Sequence, residues 1–255
     1  MLKNIYRILT MFIFDPISVL FKWRVVPTYF NNAFRYSKLN KNMNFRISIF
    51  DTYFTTSDKY LEAGTIRGHY FFQDLWAAKK IYEFNIKEHY DVGSRIDGFI
   101  AHLLTFCEVN YVDIRNLESP LNNLKFIQGD ILELPFENNT VKSLSCLHVI
   151  EHIGLGRYGD AVDPEGYIKA AKELTRVLSD GGKLFLSTPI GIEKLCFDAH
   201  RVFSFNTIIK IFEDLELIEF NLIPDKGNMI IKNANPDMCL NYNYGCGLFL
   251  FSKKL

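Results

Sequence analysis

Beyond residue 87 the chain alternates short apolar runs with longer stretches of helical period. Residues 87–92, 109–114, 124–128, 141–147 and 183–187 read as strands, and 215–222 and 247–252 add two more. Between them, 96–106, 163–178 and 206–213 space their apolar residues as amphipathic helices do, 163–178 most clearly. Asp163 is placed to cap that helix, Pro164 suits its first turn, and Gly181-Gly182 ends the segment. Upstream, 74–84 (DLWAAKKIYEF) spaces Leu75, Trp76, Ala78, Ile81 and Phe84 for another helix. Strands that alternate with helices build a mostly parallel sheet covered on both faces, so the expected fold class is α/β. Residues 1–65 are expected to form an extension of short helices and loops, with 31–44 (NNAFRYSKLNKNMN) as a polar, basic loop, and 66–255 the main domain. No internal repeat or low-complexity tract is visible.

Ligands on such a sheet bind beyond the carboxyl ends of the strands, and the informative residues fall there. The first cluster is Asp91, Gly93, Ser94, Arg95, Asp97 and Gly98. A strand turning tightly into a helix needs glycine, and the helix start offers free N–H groups to an anion. The spacing resembles G-x-G-x-x-G with Arg95 in place of the middle glycine, the one that admits a pyrophosphate to the backbone. That substitution tells against a dinucleotide. Asp113 follows Gly93 by 20 residues, where an acid can accept from both ribose hydroxyls. After the third strand, Gly129 and Asp130 can meet an adenine amino group, while Ile131 offers the ring an apolar contact.

Composition narrows the classes. The 255 residues are 48% apolar, and 29 basic residues balance 29 acidic ones. This is no electrostatic footprint for nucleic acid. Five cysteines without a C-x-x-C pair suit a reduced, cytoplasmic chain and show no zinc spacing. Residues 5–23 are apolar, but Asp15 and Pro16 interrupt the roughly 20-residue run a membrane span needs. A helix packed on the domain, or peripheral contact at the inner membrane surface, are both compatible with that segment.

The stretch GDILELPF (129–136), a polar gap, an apolar strand and then Val149-Ile150-Glu151-His152 resembles the class I S-adenosylmethionine-dependent methyltransferases. Residues 173–189 and 200–205 (HRVFSF) extend the resemblance, which spans about 90–255. Residues 68–81, 91–99 and 151–160 further resemble domain-of-unknown-function family 268, often found in bacterial surface-polysaccharide contexts. The resemblance implies a Rossmann-like sheet of the class I type, S-adenosylmethionine as cofactor, and a small-molecule or carbohydrate acceptor. Arg95 and Asp97 stand where that superfamily usually carries small residues.

Methyl transfer is an in-line displacement, and a base is needed only when the acceptor must lose a proton. His148, Glu151 and His152 follow the fourth strand. His148 lies nearest the strand end and is the favoured base, as a neutral imidazole with a pKa of about 6.5. Arg157 and Tyr158, in the glycine-rich 154–160 (GLGRYGD), and Asp198 and His200 beyond the fifth strand, are candidate acceptor contacts. His69, Tyr70 and Gln73 are candidate cofactor-lid residues. Asp198 and His200 with His148, Glu151 and His152 show no metal-ligand spacing, so no metal is expected. Three other readings stand beside the methyltransferase. They are a different chemistry on the same fold, a non-catalytic adaptor of glycan assembly suggested by the altered glycine loop, and a dinucleotide oxidoreductase, against which Arg95 and the Leu134-Pro135-Phe136 layout argue.

Overall fold

In a computed structural model, which describes residues 16–41, 45–48, 50, 64 and 66–254, seven strands form one sheet. They are β1 (Glu88–Val92), β2 (Glu108–Asp113), β3 (Leu124–Gln128), β4 (Val141–Leu147), β5 (Leu178–Ile190), β8 (Leu215–Ile223) and β9 (Gly245–Lys253). Their order is β3-β2-β1-β4-β5-β9-β8. The first five run parallel, and β9 lies antiparallel between β5 and β8. The sheet reverses its winding between β1 and β4, which opens a crevice at their carboxyl ends. A separate hairpin joins β6 (Lys194–Cys196) to β7 (His200–Val202).

Period-two alternation assigns the side chains to two cores. Leu184 and Leu186 of β5, with Phe249 and Phe251 of β9, point to one face; Phe185, Leu248 and Leu250 point to the other. Helices α4 (Gly166–Val177) and α5 (Phe205–Ile211) cover the first face, α4 burying Ala170, Ala171, Leu174 and Val177. Helix α2 (His69–Glu83) covers the second with Trp76, Ala77, Ala78 and Ile81. Beside it lies a wide helical turn, Ile96–Ile100, that runs into α3 (Ala101–Leu103).

The chain divides into two compact units, Met1–Thr65 and Ile66–Leu255. In the first, residues 31–39 are helical rather than a loop: they continue α1 (Pro16–Leu39). No glycine or proline interrupts that stretch, and Lys38 lies 4.4 Å over the Phe34 ring one turn back. Residues 42–44 of the expected loop, and 5–15 of the apolar N-terminal segment, lie outside the described residues. Among the described residues no helix is long and apolar enough to cross a membrane.

Three local expectations are corrected. Helix α2 begins at His69, five residues before the apolar spacing starts. Helix α4 begins at Gly166 with Glu165 at its cap position; the Asp163 carboxylate instead accepts from the Glu165 N–H at 3.0 Å and holds the turn before the helix. Gly181 and Gly182 lie inside β5, where Val141 pairs Leu178 but Ser143 already pairs Lys183. The glycines form a bulge there, with Gly181 at φ 69°.

Candidate functional site

A cavity of about 490 Å³ opens at the carboxyl ends of β1, β2 and β4. Gly93 and Ser94 line its floor, with Asp91 behind them. Gly93 turns at φ 69°, and a Cβ there would meet the Val149 methyls at 3.3 Å. The fully buried Asp91 carboxylate accepts from the Ser94 N–H at 2.9 Å, from its hydroxyl at 2.6 Å, and from the Ser145 hydroxyl. Burial pushes this carboxyl up to about 7. Ser94 Oγ in turn accepts from the Leu147 N–H at 3.1 Å. Asp91 and Ser94 thus tie β1 to β4, and of the two only Ser94 reaches the cavity wall.

Arg95 and Asp97 both line the cavity and pair with each other, Nε to Oδ1 at 3.1 Å and Nη2 to Oδ2 at 2.8 Å. The Arg95 guanidinium also lies 4.8 Å over the Tyr70 ring, another wall residue. Gly98 is not in the wall. Its Cα faces Asp74, whose carboxylate oxygen would lie 2.3 Å from an added Cβ, so the glycine serves packing against α2.

Asp113 is buried at the end of β2 and sits in the wall. Its Oδ1 accepts from the Arg115 N–H at 2.8 Å and from Nε at 2.9 Å; Oδ2 accepts from Nη2 at 2.8 Å and from the Tyr111 hydroxyl at 3.0 Å. Burial alone would raise this carboxyl, but Arg115 and then Tyr111 hold it below the usual carboxylate range. The Arg115 side chain is 59% exposed, so solvent can receive it when another donor takes its place. Gly129, Asp130 and Ile131 complete this side. Asp130 Oδ1 accepts from the Leu132 N–H at 2.9 Å and fixes the turn. A Cβ on Gly129 would crowd Val112 and Pro135 at 3.1 Å.

Past β4, His148 takes a left-handed conformation, φ 54°. Its Nδ1 meets Glu151 Oε1 at 2.6 Å, with both side chains buried. Burial opposes a charge on His148, yet Cys246 and Glu151 outweigh it and hold the imidazole well above its ordinary value. The neutral imidazole near 6.5 expected from sequence is therefore corrected. Burial likewise raises Glu151, and His148 pulls it below the ordinary range. His152 lines the cavity and its Nδ1 meets the Ala199 carbonyl at 2.5 Å.

The loop 154–160, exposed over 156–159, is built around one carboxylate. The Asp160 carboxylate gathers the N–H groups of Gly154 at 2.8 Å, Tyr158 at 3.1 Å and Gly156 at 3.3 Å. This brings Tyr158 to the cavity, with the guanidiniums of Arg115 and Arg157 each 5.1 Å from its ring. Arg157 itself stands outside the wall and donates to the Ala199 carbonyl at 3.0 Å. Asp198 is exposed at the β6–β7 turn and His200 packs 4.9 Å from the Tyr244 ring; neither reaches the cavity. Of the lid candidates, Tyr70 lines the cavity, whereas buried Gln73 accepts from the Ser187 hydroxyl at 2.6 Å and packs on β5. His69 is buried with its ring 5.3 Å from that of His148. Sequence reasoning missed Arg115 and Asp160. Arg115, two residues past the strand-end acid, was the one with a readable signal.

Residues 135–228 match the family model described as Caenorhabditis protein of unknown function, DUF268. That stretch includes 151–160 but neither 68–81 nor 91–99. Over 90 residues the chain is 31% identical to an uncharacterized protein of Methanocaldococcus jannaschii, an alignment covering 34% of this chain. It spans about a third of that relative's length, 35%. Among solved structures, the N-methyltransferase NodS of Bradyrhizobium japonicum, in complex with S-adenosylhomocysteine, superposes with a TM-score of 0.50 at 15% identity, covering 71% of this chain and 84% of its own. A putative sarcosine dimethylglycine methyltransferase of Galdieria sulphuraria gives 0.51 at 14%, covering 71% and 85%. The 1,6-didemethyltoxoflavin-N1-methyltransferase of Burkholderia thailandensis, with S-adenosylhomocysteine bound, gives 0.50 at 12%, covering 72% and 79%. At these identities the likeness concerns the fold. The strand order and the parallel-to-antiparallel switch at β9 agree with it: the chain has the class I methyltransferase fold, and its residues 135–228 carry the DUF268 match.

Proposed function

We propose that the chain is an S-adenosylmethionine-dependent methyltransferase acting on a carbohydrate or other small polar metabolite. The observation that carries this reading is the strand-end cavity, with Asp113, held below the usual carboxylate range, and Asp130 in a wall that also carries many aliphatic side chains. Its volume of about 490 Å³ lies in the ordinary range for a small-molecule cofactor site. Bound there, S-adenosylmethionine supplies an electrophilic methyl group. Asp113 accepts from the ribose hydroxyls once Arg115 turns outward, Asp130 and Ile131 meet the adenine, and the turn after Gly93 receives the methionine carboxylate. Two of the similar structures hold S-adenosylhomocysteine, which supports the cofactor class.

His148 lines the cavity and can take a proton, and Glu151 fixes its ring. In this reading the neutral form is the base, and Cys246 and Glu151, which hold the imidazole above its ordinary value, disfavour that form. His152 braces the β6–β7 turn through Ala199. Tyr158 and Arg157 receive the acceptor at the cavity mouth. A surface-glycan acceptor, a cytoplasmic site of action and peripheral membrane contact through the N-terminal segment extend the proposal; they rest on the family resemblance and on that segment's apolar sequence.

A second reading, a non-catalytic adaptor, is favoured by the two ion pairs, Arg95–Asp97 and Arg115–Asp113, already formed within the cleft. Calorimetric titration with S-adenosylmethionine separates them. Binding with a one-to-one stoichiometry supports the enzyme, and no heat at millimolar cofactor supports the adaptor. In the enzyme, His148→Ala lowers turnover about 10²–10⁴-fold while cofactor affinity holds. His152→Ala instead lowers the melting temperature. Normal turnover in His148→Ala removes it as the base.

A further inference from the structure

Beneath the cavity wall, three residues from distant parts of the chain meet. His69 opens α2, His148 follows β4, and Cys246 is the second residue of β9. All three are buried, and one ligand atom from each lies within 4.8 Å of the other two. His148 Nε2 is buried and meets no close hydrogen-bond partner among the described residues; what faces it is the Cys246 thiol, a weak one. A buried polar atom left this way costs about 1–3 kcal/mol, so the arrangement calls for something that satisfies it. The other ring nitrogen points to a partner typical of metal ligands: Nδ1 donates to Glu151 Oε1 at 2.6 Å, which orients the ring and turns Nε2 toward the cluster. Glu151 is itself braced by the Thr188 hydroxyl at 3.4 Å.

We propose that His69, His148 and Cys246 bind one zinc-like divalent cation, with Glu151 orienting His148 from behind. Two imidazoles and a thiolate are the donor set of zinc and its neighbours among first-row metals, not of magnesium or calcium. Tetrahedral ligation at ordinary bond lengths puts donor atoms about 3.3–3.6 Å apart, so the side chains close by about an ångström when the cation enters. Three protein ligands leave a fourth position, and His148 belongs to the cavity wall, so the site adjoins the proposed acceptor space. With the cation bound, the His148 lone pair would be committed to it, so the base role given to His148 above belongs to the cation-free protein. There the cation would supply Lewis acidity, and an acceptor hydroxyl reaching the fourth position would be acidified and would lose its proton to water. Cation binding stands without the methyltransferase reading, because it is measured without cofactor or acceptor.

The test uses the full chain, reduced, treated with chelator, dialysed, and titrated with Co²⁺. One cobalt per chain, with the visible bands of tetrahedral cobalt and a near-ultraviolet thiolate-to-cobalt band, is the expected result. Zinc should displace it stoichiometrically. Cys246→Ser should lose the thiolate band, and Glu151→Gln should weaken cobalt affinity about 10–100-fold, a shift that a purely packing role for Glu151 would not produce. His69→Gln provides a second ligand variant if the serine protein does not fold. Four other cysteines are present, at 107, 146, 196 and 239. A thiolate band that persists in Cys246→Ser, or octahedral cobalt spectra in the wild-type protein, would overturn the proposal, as would no uptake at all.

Discussion

Replacing Asp113 by alanine removes the one carboxylate positioned for a ribose. Four donors converge on it, three from Arg115 and one from Tyr111. The structural loss is modest. Tyr111 keeps the Ser94 carbonyl as a partner at 3.1 Å, and the exposed Arg115 side chain is solvated. The arginine half of this pair is open to solvent and screened, which holds its worth to about 0–1 kcal/mol, so folding should weaken by about that much. Cofactor binding should weaken more. Hydrogen bonds to a charged acceptor contribute about 1.5–3 kcal/mol, which is about 10- to 150-fold in Kd. Calorimetry with S-adenosylhomocysteine measures the loss directly. A dideoxy analogue lacking both ribose hydroxyls completes the cycle: it should bind wild type weakly and bind Asp113→Ala no worse. Wild-type affinity for S-adenosylhomocysteine in a folded Asp113→Ala protein would refute the ribose assignment. An equal loss for both ligands would also refute it, since the carboxylate would then be shaping the cleft and not meeting the hydroxyls.

Arg115→Gln frees the same carboxylate and should tighten S-adenosylhomocysteine by up to about fivefold, the equivalent of one exposed ion pair; weaker binding by calorimetry would show Arg115 to be a ligand contact. Asp91, raised from 3.8 to about 7, holds a proton in the folded state that the unfolded chain releases. Its contribution is therefore fully present below pH 4 and lost as pH rises through about 7. The stability of wild type relative to Asp91→Asn should fall by about 2.5 kcal/mol between pH 5 and 8, read from urea melts; a flat difference rejects the shift. Gly154→Ala places a Cβ 1.9 Å from the Asp163 carbonyl at φ 78°. It should cost about 2–4 kcal/mol and open residues 154–163 to proteolysis; a wild-type melting temperature would contradict the tight turn.

The fold was largely written in the chain's periodicity. Strands buried on both faces, such as β4 and β9, show as apolar runs, and α4 shows as a 3.6-residue stripe, because local burial imposes local pattern. Helix α1 was less legible. Residues 31–39 are polar, and a helix that buries little carries no stripe to read. The bulge at Gly181–Gly182 was hidden for another reason: glycine marks a break equally well inside a strand and at its end.

At the site, sequence alone determined which strand ends carry acids and glycines, since a parallel sheet sends those ends to one edge whatever the details. It placed Asp113, Asp130 and the His148–Glu151 pair beside one cavity. Tertiary structure alone decided what each side chain does there. Arg95 and Asp97 pair with each other, Gly98 turns to Asp74, and Asp198 stays at a hairpin tip, because those outcomes depend on neighbours supplied by other elements. The meeting of His69, His148 and Cys246 is the extreme case. Their separations of 79 and 98 residues carry no local signal, and only the insertion of β9 between β5 and β8, with α2 laid over it, brings the thiol under the two imidazoles.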